Sequence, residues 1–454
     1  LIRRGAVMSK NILIIGLGMS GIASAEVAND MGYKICVYDN KPYDQIENID
    51  KLKKLPINWV TNISEELFND IDLIVVSPGV PLNQPYILEA RKRGIEVISE
   101  IEAAYRISEA PIIAVTGTNG KTTTTTLTGE IFKNAGYKTR VAGNIGKPLI
   151  YDCYNAEGDE VIVAEISSFQ LESVKYFHPI TAAMLNITPD HLDRHKTMEN
   201  YINVKSKVFM NQIDTDYAVL NYDEPNAWGL KEGINSHIMP FSRKKRLNYG
   251  LYVDNGAVFY KIDDSEEKII DVSDIYIPGA HNLENALAAS AIAKIWNIKN
   301  KTVESTLKTF KGVKHRIEYV GEKNGIKFVN DSKGTNPDAA IKAIESVKGD
   351  IILIAGGYDK GSDYYNFIKA FDDKVRYLIL IGETAQKINV QARKLGFTDI
   401  VESHSLRDAV VSAYKLAKSG DTVLLSPACA SWDMFDNFEE RGNLFKLYVN
   451  ALRG

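Results

Sequence analysis

The string Thr116-Gly117-Thr118-Asn119-Gly120-Lys121-Thr122 carries the strongest chemical signal in the sequence. Glycines let the main chain approach closely enough for its N–H groups to cradle phosphate oxygens. The lysine then meets the outer phosphates, and the next hydroxyl can hold Mg²⁺. The spacing departs from G-x-x-x-x-G-K-[ST] at the first glycine, where Val115 stands. ATP is the expected nucleotide, because no guanine-reading string is evident. A second loop, Gly16-Leu17-Gly18-Met19-Ser20-Gly21, has the G-x-G-x-x-G spacing, and Asp39 ends the next apolar run. Such a loop offers free N–H groups at a helix start to a diphosphate, and the acid can take a ribose hydroxyl. Three readings stay open: a nucleotide diphosphate, a nicotinamide dinucleotide, or a tight turn without ligand. Both loops in one chain suggest that ATP is consumed on a substrate that itself carries a nucleotide diphosphate.

Other strings supply metal-type and anion-type groups. Glu165 ends the apolar run 161–164 and opens EISSFQLE. A carboxylate there faces the crevice at strand carboxyl ends, as an Mg²⁺ ligand or as a helix cap. Asp190, His191, Asp193 and His195 fall within six residues and read as a polar site, although no third soft ligand nearby argues for zinc. Asn282 and Asn285 lie three apart near the start of an Ala-rich helix, on one face, where amides can bond a base or ribose or serve as caps. DSKGTN from Asp331, GGYDKG from Gly356 and SPACAS from Ser426 each follow a strand-like run. Their Lys333, Thr335, Lys360 and Ser431 offer cations and hydroxyls to a small substrate with more than one carboxylate. Cys429 has no His beside it in sequence and reads as a buried thiol.

These groups need strands to present them. β-Rich runs at 11–15, 34–38, 73–76 and 97–98 alternate with helical spacing at 22–31 and 86–93. The pattern restarts at 112–115, and again at 327–329, 351–354, 377–381 and 422–425. The expected fold is α/β with three domains: a Rossmann-like N-terminal domain, a central P-loop ATPase-like domain with a mostly parallel sheet, and a C-terminal Rossmann-like domain. The expected spans are 1–99, 100–313 and 314–454, with joints near the helical segment 100–107 and near 311–314. Residues 1–7 (LIRRGAV), ahead of Met8, read as an extension. The 454 residues are 45% hydrophobic and 25% charged, enough apolar material for several cores. A net charge of −4 excludes a general nucleic-acid or membrane-surface binder. No apolar run approaches the roughly 18 residues of a membrane helix. Three scattered cysteines fit a reducing, cytoplasmic setting, and a monomer is expected.

Taken together, GTNGKT, EISSFQLE, LNITPDHLDRH, PGAHNLENALAA, His315-Arg316, DSKGTNP and LSPACASWDMFDNFEERG resemble the Mur ligases, the ATP-dependent amino-acid ligases of peptidoglycan precursor synthesis. The resemblance covers nearly the whole chain from Met8. The last string and GLGMSG point to the member that joins D-glutamate to UDP-N-acetylmuramoyl-L-alanine through an acyl phosphate. The resemblance implies that Gly117, Thr118, Asn119, Gly120, Lys121 and Thr122 cradle ATP, with Asn282 and Asn285 by the adenine and Arg316 and Asp331 at its phosphates and ribose. It implies two Mg²⁺ sites served by Thr122, Glu165, His191 and a carbamylated Lys205. Leu17, Ser20, Asp39, Gly79, Asn144 and His191 would line the UDP-substrate pocket. Lys333, Thr335, Lys360, Ser431 and Phe438 would hold D-glutamate, and Lys121, Glu165, His191 and Lys205 would form the catalytic set. Two departures stand out: Tyr358 replaces an expected acid, and Asn40-Lys41 replaces an expected Thr-Arg. Two rivals remain: a Mur-type ligase for another amino acid, and an NAD(P)-binding regulator with an ATPase module. The second leaves the strings of the last third unexplained.

Overall fold

Short runs of Ile, Val and Leu between glycine turns become strands, because such side chains pack well on a sheet buried on both faces. In the computed structural model, which describes residues 11–46, 48–359 and 361–452, they build three sheets. The expected extension 1–7 lies outside the described residues.

The first sheet is wholly parallel, in the order β3-β2-β1-β4-β5, from β1 (Asn11–Ile15), β2 (Lys34–Tyr38), β3 (Ile57–Trp59), β4 (Leu73–Val76) and β5 (Glu96–Ser99). Chain order reverses between β1 and β4, which opens a crevice at their carboxyl ends. The helix expected at 22–31 runs Met19–Asp30 instead, because Gly18 serves as its cap. Gly21 lets that helix sit on the loop: a Cβ there would lie 1.9 Å from the Gly16 carbonyl oxygen.

The second sheet has nine strands: β6 (Ile112–Thr116), β7 (Lys138–Gly143), β8 (Glu160–Glu165), β9 (Thr181–Met184), β10 (Tyr217–Asn221), β11 (His237–Ser242), β12 (Gly250–Asp254), β13 (Ala257–Ile262) and β14 (Ser265–Asp271). Its order is β14-β13-β12-β11-β10-β9-β6-β8-β7, parallel except at the β12-β13-β14 edge. The third sheet, β15-β16-β20-β17-β18-β19, uses β15 (Glu318–Lys323), β16 (Ile326–Asn330), β17 (Ile351–Ala355), β18 (Val375–Leu380), β19 (Ile400–Glu402) and β20 (Thr422–Leu425), with β15 alone antiparallel to its neighbour. The chain clusters into two compact bodies. One runs to Ile275 and adds Glu284–Lys308, so it contains the first two sheets; the other contains Tyr276–Leu283 and everything from Thr309, with the third sheet. No helix among the described residues is long and apolar enough to cross a membrane.

The helix Glu100–Ile107, expected as a joint, is fastened rather than loose. Glu102 is fully buried and accepts main-chain N–H groups from Lys175, Tyr176 and Phe177. Glu100, also buried, accepts from Ile150 N at 2.7 Å, and its Oε2 has no partner. Burial pushes its carboxyl up to about 7, against hydrogen bonds from Ile150 and Gln170 that lower it. A raised carboxyl pKa means that the folded state holds the proton. Its stabilising effect is complete below about pH 4.5 and is lost as pH rises toward 7. Glu100→Gln is expected to flatten that fall, and to raise unfolding free energy at pH 8 by up to about 3 kcal/mol. Urea unfolding at pH 5 and pH 8 measures it; an unchanged gap between the two pH values in the variant would sink the assignment.

Candidate active site

The phosphate-type loop follows β6. Gly117 (φ 153°) and Gly120 (φ 85°) take conformations that side-chain-bearing residues rarely adopt, and the helix Lys121–Asn134 begins at once. The segment after β9 moors the loop: Thr118 N donates to Asn186 O at 2.9 Å and Asn119 N to Asn186 Oδ1 at 2.8 Å. Asn285 backs it, since Thr124 Oγ1 donates to Asn285 Oδ1 at 3.2 Å and a Cβ on Gly120 would meet that oxygen at 2.2 Å. The Lys121 ammonium lies against the loop's own carbonyls, 2.9 Å from Gly117 O and 2.8 Å from Thr118 O. Asn282, on the helix Ala280–Ile295 with Asn285, donates to Pro278 O at 2.7 Å.

Strand β8 lies beside β6 and ends in Glu165. This carboxylate is buried; Oε1 accepts from Asn144 Nδ2 at 2.8 Å, and Oε2 has no hydrogen-bond partner. An anionic oxygen in that state is costly unless a cation meets it. Among the described residues no three His, Cys, Asp or Glu side chains converge into a metal cage. Mg²⁺ prefers oxygen and keeps few protein ligands, so the unsatisfied Glu165 oxygen fits it.

Lys205, on the helix Met198–Ser206, is 1% exposed. Its Nζ donates to Gly117 O at 2.9 Å and sits over the Tyr201 ring, 5.1 Å from the centroid. Burial, and then Lys121 nearby, push its pKa well below the usual lysine value, against Asp190 and Glu165. Burial therefore disfavours the charged form, in a place where lysines are rarely found.

The two histidines of the polar cluster part company. His191 stays largely exposed, in a left-handed conformation (φ 52°), its ring edge-on to Phe169 at 4.8 Å and its Nε2 3.5 Å from Asp190 Oδ2. His195 is a core residue, contrary to the expectation for the cluster. It is 1% exposed, stacks on Phe169 at 5.6 Å, lies 3.0 Å from Ser168 Oγ, and burial lowers its pKa. The side chain of Asp193 lies outside the described set. Arg194, to which the sequence assigned nothing, pairs with Glu172 at 2.5 Å and donates to Val80 O at 3.0 Å. It thereby fastens the loop bearing Gly79 to the His191 segment.

At the first sheet, Asp39 holds the glycine loop: Oδ2 accepts from Leu17 N at 2.6 Å and Oδ1 from Lys41 N at 2.8 Å. Both oxygens thus carry a main-chain bond, which weakens the ribose-binding, nicotinamide-type reading. Ser77 Oγ donates to Gly16 O at 2.6 Å, and Ser20 O accepts from Ser24 Oγ. Nothing crowds the Cβ position of Gly79. A cleft of about 600 Å³ lies between this loop and the second sheet, lined by Met19, Lys51, Arg140, Lys147 and Tyr151.

In the second body the three expected strings leave the carboxyl ends of β16, β20 and β17, which are parallel neighbours, so they share one rim. Asp331 is buried; it accepts from Ser426 Oγ at 2.8 Å and Ile317 N at 3.2 Å, and Arg316 lies 3.5 Å away. Burial raises its carboxyl pKa, against Arg316. Lys333 lies over the Phe438 ring at 5.4 Å, and Phe438 opens the helix Phe438–Ala451. Thr335 N donates to Lys333 O, and the buried Ser431 accepts through its carbonyl from Phe435 N. Lys360 lies outside the described residues. Tyr358 N donates to Ala430 O at 3.0 Å, which fixes the loop that departs from the expected acid. Cys429 is the buried thiol expected, in hydrogen-bond contact with Tyr364 and Thr384, its pKa raised by burial.

The chain matches three family models: a Mur ligase MurD-like N-terminal domain over 10–99, a Mur ligase middle domain over 115–293 and a Mur ligase glutamate ligase domain over 315–429. It is 55% identical over 448 residues to the UDP-N-acetylmuramoylalanine–D-glutamate ligase of Thermoanaerobacter sp. (strain X514), covering 98% of this chain and 99% of the relative. The enzyme of that name from Caldanaerobacter subterraneus subsp. tengcongensis is also 55% identical, with the same coverage of both chains. Among solved structures, the UDP-N-acetylmuramate-alanine ligase of Thermotoga maritima matches with a TM-score of 0.62 at 21% identity, over 97% of this chain and 99% of that one. A three-domain α/β architecture with this loop order, matched by those models over most of its length, makes the chain a member of the Mur ligase family.

Proposed function

We propose that the chain joins D-glutamate to UDP-N-acetylmuramoyl-L-alanine at the expense of ATP, releasing ADP and phosphate, in peptidoglycan precursor synthesis. One arrangement carries the reading: a phosphate cradle after β6 flanked by the partly unbonded buried carboxylate that ends β8. The identity to relatives named for this reaction supports it. We assign the UDP-substrate to 1–99, ATP to 100–313 and the amino acid to 314–454. The enzyme works as a monomer in the cytoplasm, where ATP is made.

A carboxylate is a poor electrophile, so the first step transfers the γ-phosphoryl group to the terminal carboxylate of the UDP-substrate. The N–H groups of 117–122 and the Lys121 ammonium offset charge on that group. Thr122 and Glu165, and at a second site His191 with a carbamate on Lys205, would hold Mg²⁺, which would supply further charge neutralisation. Asn144 orients Glu165 through its hydrogen bond to Oε1, and we assign it to the substrate near the reacting carboxylate. Asn282 and Asn285 hold the adenine side, and Arg316 and Asp331 the phosphates and ribose. Lys333, Thr335, Lys360, Ser431 and Phe438 orient D-glutamate, whose amine attacks the acyl carbon. Collapse of the tetrahedral adduct expels phosphate and leaves the amide. Leu17, Ser20, Asp39 and Gly79 hold the UDP end.

Phosphate release with UDP-N-acetylmuramoyl-L-alanine is the test. D-glutamate is expected to raise the rate at least 100-fold over L-glutamate at equal concentration; equal rates, or a stronger response to another amino acid, would overturn the assignment.

A further inference from the structure

Arg441 is among the largest fully buried side chains, 1% exposed, and no carboxylate of the described residues forms an ion pair with it. All its bonds go to neutral oxygens. Nε donates to Ser332 Oγ at 3.0 Å, Nη2 to Ser332 O at 2.8 Å and Cys429 O at 3.2 Å, and Nη1 to Ala430 O at 3.2 Å. Ser332 Oγ in turn donates to Phe438 O at 2.8 Å. Ala430 O also accepts from Tyr358 N, and a Cβ on Gly357 would come within 3.3 Å of Arg441 Nη1. One guanidinium therefore touches the DSKGTN and SPACAS strings directly, reaches GGYDKG through a shared carbonyl, and lies in the helix that begins with Phe438.

Two features of this contact set go beyond ordinary packing. A planar fork with five donors serves four oxygens on three residues from one point; an ammonium, with three donors, cannot. A buried cation without a directly paired anion is also costly. Asp331 is engaged by Arg316 and Ser426, and Asp433 is exposed. Glu439 and Glu440 share the first turn of the helix and answer its dipole. Asp433 and Asp331 still act on the guanidinium electrostatically, without a bond to it.

We infer that Arg441 is a positioning residue for the incoming amino acid, registering the three rim loops from beneath them. The inference rests on the assignment of this rim to D-glutamate.

The experiment compares wild type with Arg441→Lys and Arg441→Met in amino-acid-dependent phosphate release, with KM measured separately for ATP, UDP-substrate and D-glutamate. Arg441→Lys is expected to raise KM for D-glutamate about tenfold, through lost registration. Arg441→Met, which loses every donor, is expected to raise it at least fiftyfold. KM for ATP and UDP-substrate should stay within twofold. Ser332→Ala keeps the charge and removes one anchor; a rise of about threefold is expected, and it serves as the measurement if Arg441→Met fails to fold. An unchanged KM for D-glutamate, or a uniform loss across all three substrates, would overturn the inference. Failure of wild type to respond to D-glutamate would instead remove the assignment beneath it.

Discussion

Lys205→Ala is expected to lower kcat by at least about 1,000-fold, or about 4 kcal/mol in the barrier, with partial recovery in millimolar acetate or formate. The physical reason lies in the burial of this lysine. It sits 1% exposed against Gly117 O, and burial together with Lys121 holds its pKa well down. A neutral amine can attack carbon dioxide: the N–C bond forms, one proton leaves to solvent, and a carbamate anion results. That places a negative charge at the position. An ammonium there would repel Mg²⁺, whereas a carbamate would be an oxygen-donor anion near Glu165, which acts on Lys205 electrostatically and has an unsatisfied oxygen. Small carboxylates replace the anion but not its tether, so recovery is partial. Steady-state phosphate release with and without the added carboxylate measures both effects. Full activity of the unsupplemented variant would remove the carbamate from the proposal, and no rescue at all would leave Lys205 a packing residue.

Lys121→Met is expected to reduce kcat/KM for ATP by at least about 1,000-fold, again about 4 kcal/mol, while binding of the UDP-substrate by thermal shift stays unchanged. Lys121 differs from Lys205 in its surroundings. Its ammonium contacts the loop carbonyls of Gly117 and Thr118, at the point where the loop turns into the helix. On the proposed function, that ammonium stands where negative charge accumulates during phosphoryl transfer, and removing it leaves only main-chain N–H groups for the outer phosphates. Methionine keeps the length and apolar stem of the side chain, so the helix start is preserved. A loss below tenfold would show that the ammonium is not engaged with the transferred group. The two lysines are also coupled. Lys121 is among the groups that lower the pKa of Lys205, so Lys121→Met shifts Lys205 back toward its charged form. The double variant should therefore lose less than the two single losses combined.

Much of the molecule was legible without coordinates. GTNGKT, GLGMSG and the three rim strings state local backbone requirements: glycines where φ is positive or a helix must sit close, a lysine at a helix start, polar groups at strand ends. Such requirements are satisfied within about ten residues, so spacing alone exposes them. Strand alternation fixed the class and the convergence of the rim, because parallel β16, β20 and β17 can deliver their loops only to one edge. Other features depended on partners far away in the chain. His191 and His195 are identical in type and four apart, yet only packing against Phe169, Ser168 and Tyr201 makes one a core residue. Arg194 reaches Val80, 114 positions away, and Arg441 reaches Ser332, 109 positions away. The depressed pKa of Lys205 and the raised pKa of Glu100 likewise exist only once other elements exclude water. The amino-acid order by itself determined which chemical groups this chain presents and on which strand ends, because those are local properties of the backbone. Tertiary structure alone decided which of them are dry, unpaired or clamped, because desolvation and long-range hydrogen bonding have no counterpart in residue spacing.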